Sequence, residues 1–431
     1  MTELKKITRP ELSEILAEHR KMLRDRRAGH RANLSFHDLS DEDLSGLNFS
    51  MAEFSGASLH HAILIKSNFT RATLFGADLR VANLRRANMT HSDLRGACLR
   101  GADLSDAIMV DADMREGVLA WHDGSETQYE HRNAEISAAV AVRANFTGAK
   151  MSSSFVAQTD FTDAVLRNAS LSGADMRSAV FVGAQMEGAD LSGSNLSGAD
   201  MSGANLAGVT IDKAEFDGTD LTGAIVDPQM LAAPELRAAK LPKPDTTVAE
   251  RLDKILLAHA NWANSEGGAR AKLANADLSG LDLQNVNLAA AILTSVIFKA
   301  ANLSSSVLSM ADLSGADLRE TNLQNADMRG VRLKRAALTG ANLSGANLGP
   351  LRDAGASKRV WPSDLTYARF READLSGASL RDADLKGTSF DDADLRNADL
   401  SGADVADASF LNADLTGARL EGTNMKDAQL E

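Results

Sequence analysis

A five-residue period runs through most of this 431-residue chain and constrains its fold more than any other feature. A small residue recurs at every fifth position, and Leu, Phe or Met follows two positions later, as in residues 77–89, which read ADLRVANLRRANM. This period matches neither the 3.6-residue turn of an α-helix nor the two-residue alternation of a strand. It is typical of a coil in which each side is one pentapeptide, with the small and the large residue pointing inward.

The spacing of the phenylalanines predicts how many sides each coil has. Phe370, Phe390 and Phe410 are twenty residues apart, and Phe49 and Phe69 share this spacing. Identical side chains that stack on successive coils are expected of a solenoid. We therefore predict an all-β solenoid with four pentapeptides per coil.

Breaks in the period predict two stacks of coils, which we call towers. The large residue recurs over residues 34–119, 136–226, 273–348 and 365–430. The predicted divisions are an N-terminal helical cap at 1–30, a first tower at 31–226 with a projecting loop near 121–132, a cap and proline-containing linker at 227–246, a second helical cap at 247–268, and a second tower at 269–431 with a projecting loop near 350–361.

An α-helix is predicted in front of each tower. Residues 8–11 (TRPE) and 247–250 (TVAE) both have the pattern of a capping box, and apolar residues at helical spacing follow each of them. Such a helix would cover the open β edge of the first coil. His19 and His259 take the same place in the two helices, and we expect both to be structural.

Each tower is interrupted by a gap of seventeen residues, which equals one repeat plus twelve residues. If twelve residues loop out, the column that contains Phe49 continues to Phe161, and Phe298 aligns with Phe370. We therefore predict that both interruptions are projecting loops.

The two loops and their edges contain most of the Trp and Tyr residues of the chain, which are common anchors of protein interfaces. The alternative is that these side chains fold back onto the tower wall as a lid. The candidate partner-binding residues are Trp121, His122, Tyr129, Arg352, Trp361 and Tyr367.

The A-(D/N)-L-x-x units of residues 77–89, and dozens of units like them, resemble the pentapeptide repeat family over about three-quarters of the chain. The resemblance implies a right-handed quadrilateral β-helix. The best-understood bacterial branch of that family protects DNA gyrase from inhibitors by resembling duplex DNA in shape and charge. The resemblance therefore implies a topoisomerase as one partner, and a DNA-mimic modulator of gyrase as an alternative function.

Catalytic chemistry is not expected, because a narrow and filled solenoid offers no concave site. The many Asp residues occupy the second position of the repeat, where they most simply bond turn backbone. Cys98 is the only cysteine, and the pair His60-His61 lacks a third metal ligand. We predict no enzyme activity, no cofactor and no metal.

A column of basic residues is predicted on one face of the first tower. His60, Arg80 and Arg100 are twenty residues apart, and Arg95 and Arg115 stack beside them. This face could bind phosphate directly in a nucleic acid, or an acidic partner. The alternative is a solvated face that neighbouring Asp residues balance.

The C-terminal end has the opposite sign and is predicted to pair with a second copy. The net charge of the chain is −13, and residues 391–431 hold ten acidic and three basic residues. Repeats continue to the last residues, so an exposed β edge would make a homodimer. The candidate dimer residues are Phe410, Leu415, Leu420, Met425 and Leu430.

These observations predict a non-enzymatic scaffold that holds an unidentified protein partner through its loops and caps. No apolar run approaches the length of about 18 residues that predicts a membrane span. Residues 1–6 lack the apolar core of a signal peptide, so a cytoplasmic location is expected.

Overall fold

Each pentapeptide contributes one residue to a parallel backbone ladder whose rungs join positions twenty residues apart in this computed structural model. The residue before each large core residue makes the rung, so that Asp43 pairs with Ile63, and Ile63 pairs with Asn83. The amide of Leu44 donates to the carbonyl of Ile63 at 2.8 Å. Because each side of a coil gives a single rung, the ladders run without long strands.

The structure describes residues 4–25, 27–122, 127–241, 248, 251–352 and 359–430. The chain divides into two compact units, Met1–Pro242 and Lys243–Glu431, which we call unit 1 and unit 2. Apart from Val248, the predicted capping box at 247–250 and the linker prolines lie outside the described residues.

The pentapeptide combines two residues that are buried in the core with a β-turn that connects one side of the coil to the next. Phe54 and Ala57 are buried, and the amide of Ala57 donates to the carbonyl of Phe54 at 3.0 Å to close a β-turn. Gly56, the third residue of that turn, has a φ of 63°, which favours glycine. At the second position, Oδ1 of Asp43 accepts from the amide of Ser45 at 3.0 Å. The repeated Asp therefore satisfies a turn amide.

Aromatic columns fill the axis of the coils. The rings of Phe161 and Phe181 are stacked with centroids 5.0 Å apart, and Phe390 stacks between Phe370 and Phe410 at 5.2 and 5.0 Å. All five rings are buried. The regular spacing of phenylalanines in the sequence thus corresponds to stacking of successive coils.

The interruption in unit 1 differs from the pattern, and the expectation that twelve residues loop out there is wrong. Rungs across it join residues thirty-seven positions apart, as Ile108 pairs with Asn145. Seventeen residues are therefore added to one coil. As a result, the column of Phe49 continues to Phe146 and not to Phe161.

The interruption in unit 2 has the expected length. Rungs across it join residues thirty-two positions apart, as Ala337 pairs with Arg369. Twelve residues are therefore added to one coil, and the column of Phe298 continues to Phe370.

A strand and a helix cover the first coil of unit 1. Strand β1 (Lys5–Lys6) pairs in parallel with β2 (His37–Asp38), and helix α1 (Arg9–Arg24) follows it. The helix starts with a capping box between Thr8 and Glu11 and buries Leu12 against the coil. These contacts protect an edge that would otherwise expose unpaired backbone groups.

The far end of unit 1 is covered as well. Helix α2 (Pro228–Leu231) and a 3-10 helix (Pro234–Leu236) bury Met230 and Leu236 against the core. Lys240 continues the ladder from Asp220, and its ammonium lowers the pKa of that carboxyl to about 2. In unit 2, helix α3 (Leu252–Ala263) buries Leu252 and His259 against the first coils.

Candidate interaction surfaces

The interruption of unit 1 is a β-hairpin. Strand β3 (Gly117–His122) pairs antiparallel with β4 (Thr127–Arg132). The candidates Trp121, His122 and Tyr129 lie on these strands, and their side chains are outside the described part of the structure. The predicted loop is therefore an ordered pair of strands at its base.

Two glycines let this hairpin lie close to the wall of unit 1. A Cβ on Gly96 would stand 3.1 Å from the carbonyl oxygen of Arg132. A Cβ on Gly117 would meet the ring of Phe75 at 2.9 Å, and the guanidinium of Arg95 lies 5.5 Å from the centre of that ring. The base of the hairpin thus packs directly on the preceding coils.

The interruption of unit 2 has the same design with different side chains. Strand β5 (Leu351–Arg352) pairs antiparallel with β6 (Val360–Trp361). A Cβ on Gly330 would stand 3.3 Å from both the carbonyl oxygen of Trp361 and Cβ of Leu351. Glycines at the fifth position are frequent in this chain, so the sequence alone did not mark Gly96 and Gly330 as hairpin supports.

The candidate residues of unit 2 divide into held and accessible side chains. Arg352 donates to Asp382 at 2.8 Å, which fastens the hairpin to the next coil. Trp361 is half-buried, whereas Val360 beside it is 46% exposed. The Tyr367 ring packs against Gly387, where an added Cβ would stand 2.5 Å from it, and the guanidinium of Arg335 is 5.9 Å from the ring centre.

The candidate basic face of unit 1 is largely neutralised. Nε and Nη2 of Arg80 donate to the two carboxylate oxygens of Asp78 at 2.8 and 2.6 Å, and this pairing raises the pKa of Arg80. Arg95 and Arg115 make the same fork with the acid two positions before them.

The reason is geometric, because the residues before and after a core residue both point outward on one side of the coil. An Asp-x-Arg sequence therefore forms its own bidentate ion pair. In unit 1 the fork with Arg177 likewise lowers the pKa of Asp175. Arg100 has Cys98, and not an Asp, two positions before it. Its Nε lies 3.9 Å from a carboxylate oxygen of Glu135. His60 packs edge-on against His61 with ring centres 4.2 Å apart.

The candidate dimer residues become progressively more exposed toward the end of unit 2. Phe410 is buried, Leu415, Leu420 and Met425 are partly buried, and Leu430 is 51% exposed. Amides of earlier core residues, such as Leu395, donate to the next coil at 2.9 Å. Within the described chain, the amides of Leu415 and Leu420 have no such backbone acceptor.

The described residues offer few features that suggest metal binding, membrane insertion or a ligand pocket. They contain no group of three His, Cys, Asp or Glu side chains that could hold a metal ion. No helix among them is long and apolar enough to cross a membrane. An open groove of about 390 Å³ lies beside α1, and its carboxylates Glu11 and Glu18 already bond Thr8 and Lys21.

A family model described as pentapeptide repeats matches roughly three-quarters of the chain. The matched segments are residues 30–65, 52–90, 67–106, 82–119, 144–183, 159–198, 189–225, 271–309, 311–349, 363–402 and 393–431. No curated protein matches the chain.

Three solved structures illustrate what the chain is similar to. Trypsin-treated QnrB1, described as a plasmid-mediated fluoroquinolone resistance protein, is 20% identical over 37% of this chain and 81% of its own, with a TM-score of 0.32. Rfr23 of the cyanobacterium Cyanothece 51142 is 22% identical over 30% of this chain and 88% of its own, with a TM-score of 0.24. A pentapeptide repeat protein of the Arabidopsis thaliana thylakoid lumen is 30% identical over 27% and 70%, with a TM-score of 0.19.

Proposed function

Because the chain belongs to the pentapeptide repeat family, we propose that it is a non-enzymatic scaffold that binds a protein partner through its hairpins and caps. We infer that the coils of each unit form the right-handed quadrilateral β-helix of that family, with an N-terminal helical cap. The regular wall then serves as a rigid support for the places where the repeat is interrupted.

The observation that carries the proposal is that both units hold a hairpin against the wall at a glycine. Gly96 and Gly330 sit one coil before the two insertions, and each lies within van der Waals reach of a hairpin carbonyl. A hairpin fixed to a rigid element presents its side chains in one geometry, which lowers the entropy lost on binding.

Excising both hairpins should remove partner binding and leave the fold intact. Deleting residues 117–133 and 350–361 restores the regular spacing of the rungs, because seventeen and twelve residues are inserted at these places. Pro362 then occupies a turn position that needs a positive φ, so the design includes Pro362→Gly. We expect the amount of partner captured from the source cell extract to fall at least tenfold, measured by quantitative mass spectrometry.

The matched control variant deletes one coil of the solenoid and keeps both hairpins. Deleting residues 177–196 takes out one complete coil and preserves the register of every rung. Partner capture should persist in this variant. Capture that survives hairpin excision and disappears with the coil would place binding on the wall and refute the proposal.

A second candidate function, mimicry of duplex DNA toward a topoisomerase, is favoured by local charge density. Residues 372–430 hold thirteen acidic and five basic residues over three coils, a net charge of −8. Three coils span about 14 Å at the spacing of β-strands. Duplex DNA carries roughly eight phosphate charges over the same length.

End-to-end pairing through residues 411–430 would place two such segments in line, and we propose this homodimer as part of the second candidate. Leu430→Asp should then give a monomer in sedimentation velocity and abolish any effect of the protein on gyrase supercoiling of relaxed plasmid. Leu257→Asp makes the same change at a side chain that is 66% exposed on α3, and it should leave both readouts unchanged. A wild-type protein that is monomeric, or that has no effect on supercoiling at micromolar concentration, would refute this candidate.

A further inference from the structure

A local excess of basic residues surrounds the hairpin of unit 2. Residues 329–371 hold nine basic and two acidic residues. The segments on either side are acidic, with three basic and six acidic residues in 271–328 and five basic and thirteen acidic residues in 372–430. The sign of the charge therefore reverses for about two coils and then returns.

Most of this segment departs from the Asp-x-Arg ion pairing that is common elsewhere in the chain. Outside it, an Arg after a core residue often has an Asp before that core residue, as in the fork between Arg319 and Asp317. Here the acid is replaced by a base, so that residues 332–335 read RLKR and residues 369–371 read RFR. The first pentapeptide, residues 331–335, contains no acid, whereas Arg371 of the second pairs with Glu372 beside it.

Nearby acids neutralise part of this charge. Arg332 lies 3.9 Å from Asp312, and Arg371 lies 3.1 and 3.2 Å from Glu372 and Asp392. Lys334 is exposed, and no carboxylate of the described residues lies within ion-pair distance of its ammonium. A positive charge thus remains on this side of the coil.

Apolar and aromatic groups border this charge. The amide of Arg335 donates to the carbonyl of Thr366 at 3.0 Å, which places Lys334 and Arg335 beside Tyr367 on the next coil. Arg335 lies against the Tyr367 ring. Val360 is exposed and Trp361 is half-buried, and both lie a few residues before Tyr367 in the sequence.

We propose that Lys334, Arg335, Val360, Trp361 and Tyr367 form a surface that binds an acidic protein segment containing apolar side chains. The charge would attract its carboxylates, and the valine and the aromatic rings would bury its apolar side chains. This inference rests on the proposed scaffold function and adds the chemistry of the partner.

The size and the surroundings of the surface favour a protein over a nucleic acid. Two coils span about 10 Å, which is enough for a few side chains. A nucleic-acid strand would need a longer basic track, and the acidic coils on both sides would repel its phosphates. An exposed valine adds nothing to phosphate binding but can pack against an aliphatic side chain.

The test uses the full chain and a fluorescein-labelled 16-residue peptide of Glu and Leu, with fluorescence anisotropy at 50 and 200 mM salt. We expect saturable binding that weakens as salt is raised. The double variant Lys334→Glu with Arg335→Glu should weaken binding at least tenfold. The matched control, Lys272→Glu with Lys299→Glu, makes the same charge change elsewhere in unit 2 and should change affinity less than twofold.

Three outcomes would overturn the inference. They are no peptide binding by the wild type at 50 mM salt, equal weakening by both double variants, and tighter binding of a 20-nucleotide single-stranded oligonucleotide than of the peptide. Circular dichroism verifies that each variant is folded. Hairpin excision tests the scaffold proposal separately, since partner capture that depends on the hairpins but not on Lys334 and Arg335 would refute this inference alone.

Discussion

Replacing Phe390 with alanine is expected to lower the unfolding free energy of unit 2 by about 4 kcal/mol, the usual cost of removing a buried phenylalanine. The ring is fully buried between Phe370 and Phe410, with centroids 5.2 and 5.0 Å away. Backbone hydrogen bonds to the coils on either side prevent the wall from collapsing into the cavity. The lost contacts therefore cannot be replaced.

Hydrogen exchange followed by mass spectrometry measures this loss in the full chain, because it reports units 1 and 2 separately. Protection should fall in residues 365–430 and stay unchanged in unit 1. Phe155→Ala is the control, because this ring is 45% exposed on the outer wall, and surface changes of this kind usually cost less than about 0.5 kcal/mol. Equal losses for the two variants would contradict the assignment of Phe390 to the central column.

The interior of the coils could be predicted from the sequence because burial selects residue type at fixed positions. Large residues at every fifth position and short columns of phenylalanine at twenty-residue spacing both fit the stacking of coils. The same pattern is ambiguous where the backbone leaves the coil. Leu119 fits the five-residue period, yet it pairs with Glu130 in the hairpin. Periodicity reports spacing along the chain, and it does not report which residues remain in the coil.

The surfaces were harder to predict because they depend on contacts between side chains. Counting arginines in unit 1 left open whether they form a basic binding face or a face balanced by Asp, and the forks with Asp78, Asp93 and Asp113 neutralise most of this charge. The segment at 329–371 shows the reverse, because its bases replace the acids that would have formed such forks. The order of acid and base around each core residue is therefore more informative than the number of charges. The supports of the hairpins, Gly96 and Gly330, resemble every other turn glycine in sequence.

The two cap helices share a buried imidazole that should make both units sensitive to acid. Nδ1 of His19 accepts from the amide of Ala32 at 3.2 Å, and Nδ1 of His259 accepts from the amide of Ala271 at 3.0 Å. Burial lowers the pKa of both His19 and His259. Nδ1 can accept only in the neutral imidazole, so protonation would break each of these bonds.

The expected direction follows from the lowered pKa. An unfolded histidine takes up a proton near pH 6.5, and the folded one does so only at lower pH. The stabilisation is therefore complete above about pH 6.5 and decreases as the pH falls toward the folded value, by about 1.4 kcal/mol for each unit of difference. Charged neighbours act in the same direction, since Arg31 lies near His19 and Arg270 lies near His259.

Hydrogen exchange at pH 7.5 and at pH 5.0, corrected for intrinsic rates, should show that α1 and α3 lose protection in acid before the coils do. The double variant His19→Gln with His259→Gln keeps an acceptor for the two amides and removes the titrating groups, so its cap protection should depend much less on pH. His61→Gln alters an exposed imidazole on the outer wall and should leave the acid response of the wild type intact. If the double variant retained the full acid response, the response would have to originate in the carboxylates of the coils. The caps would then be ordinary end covers, and acid would not act on the buried imidazoles at all.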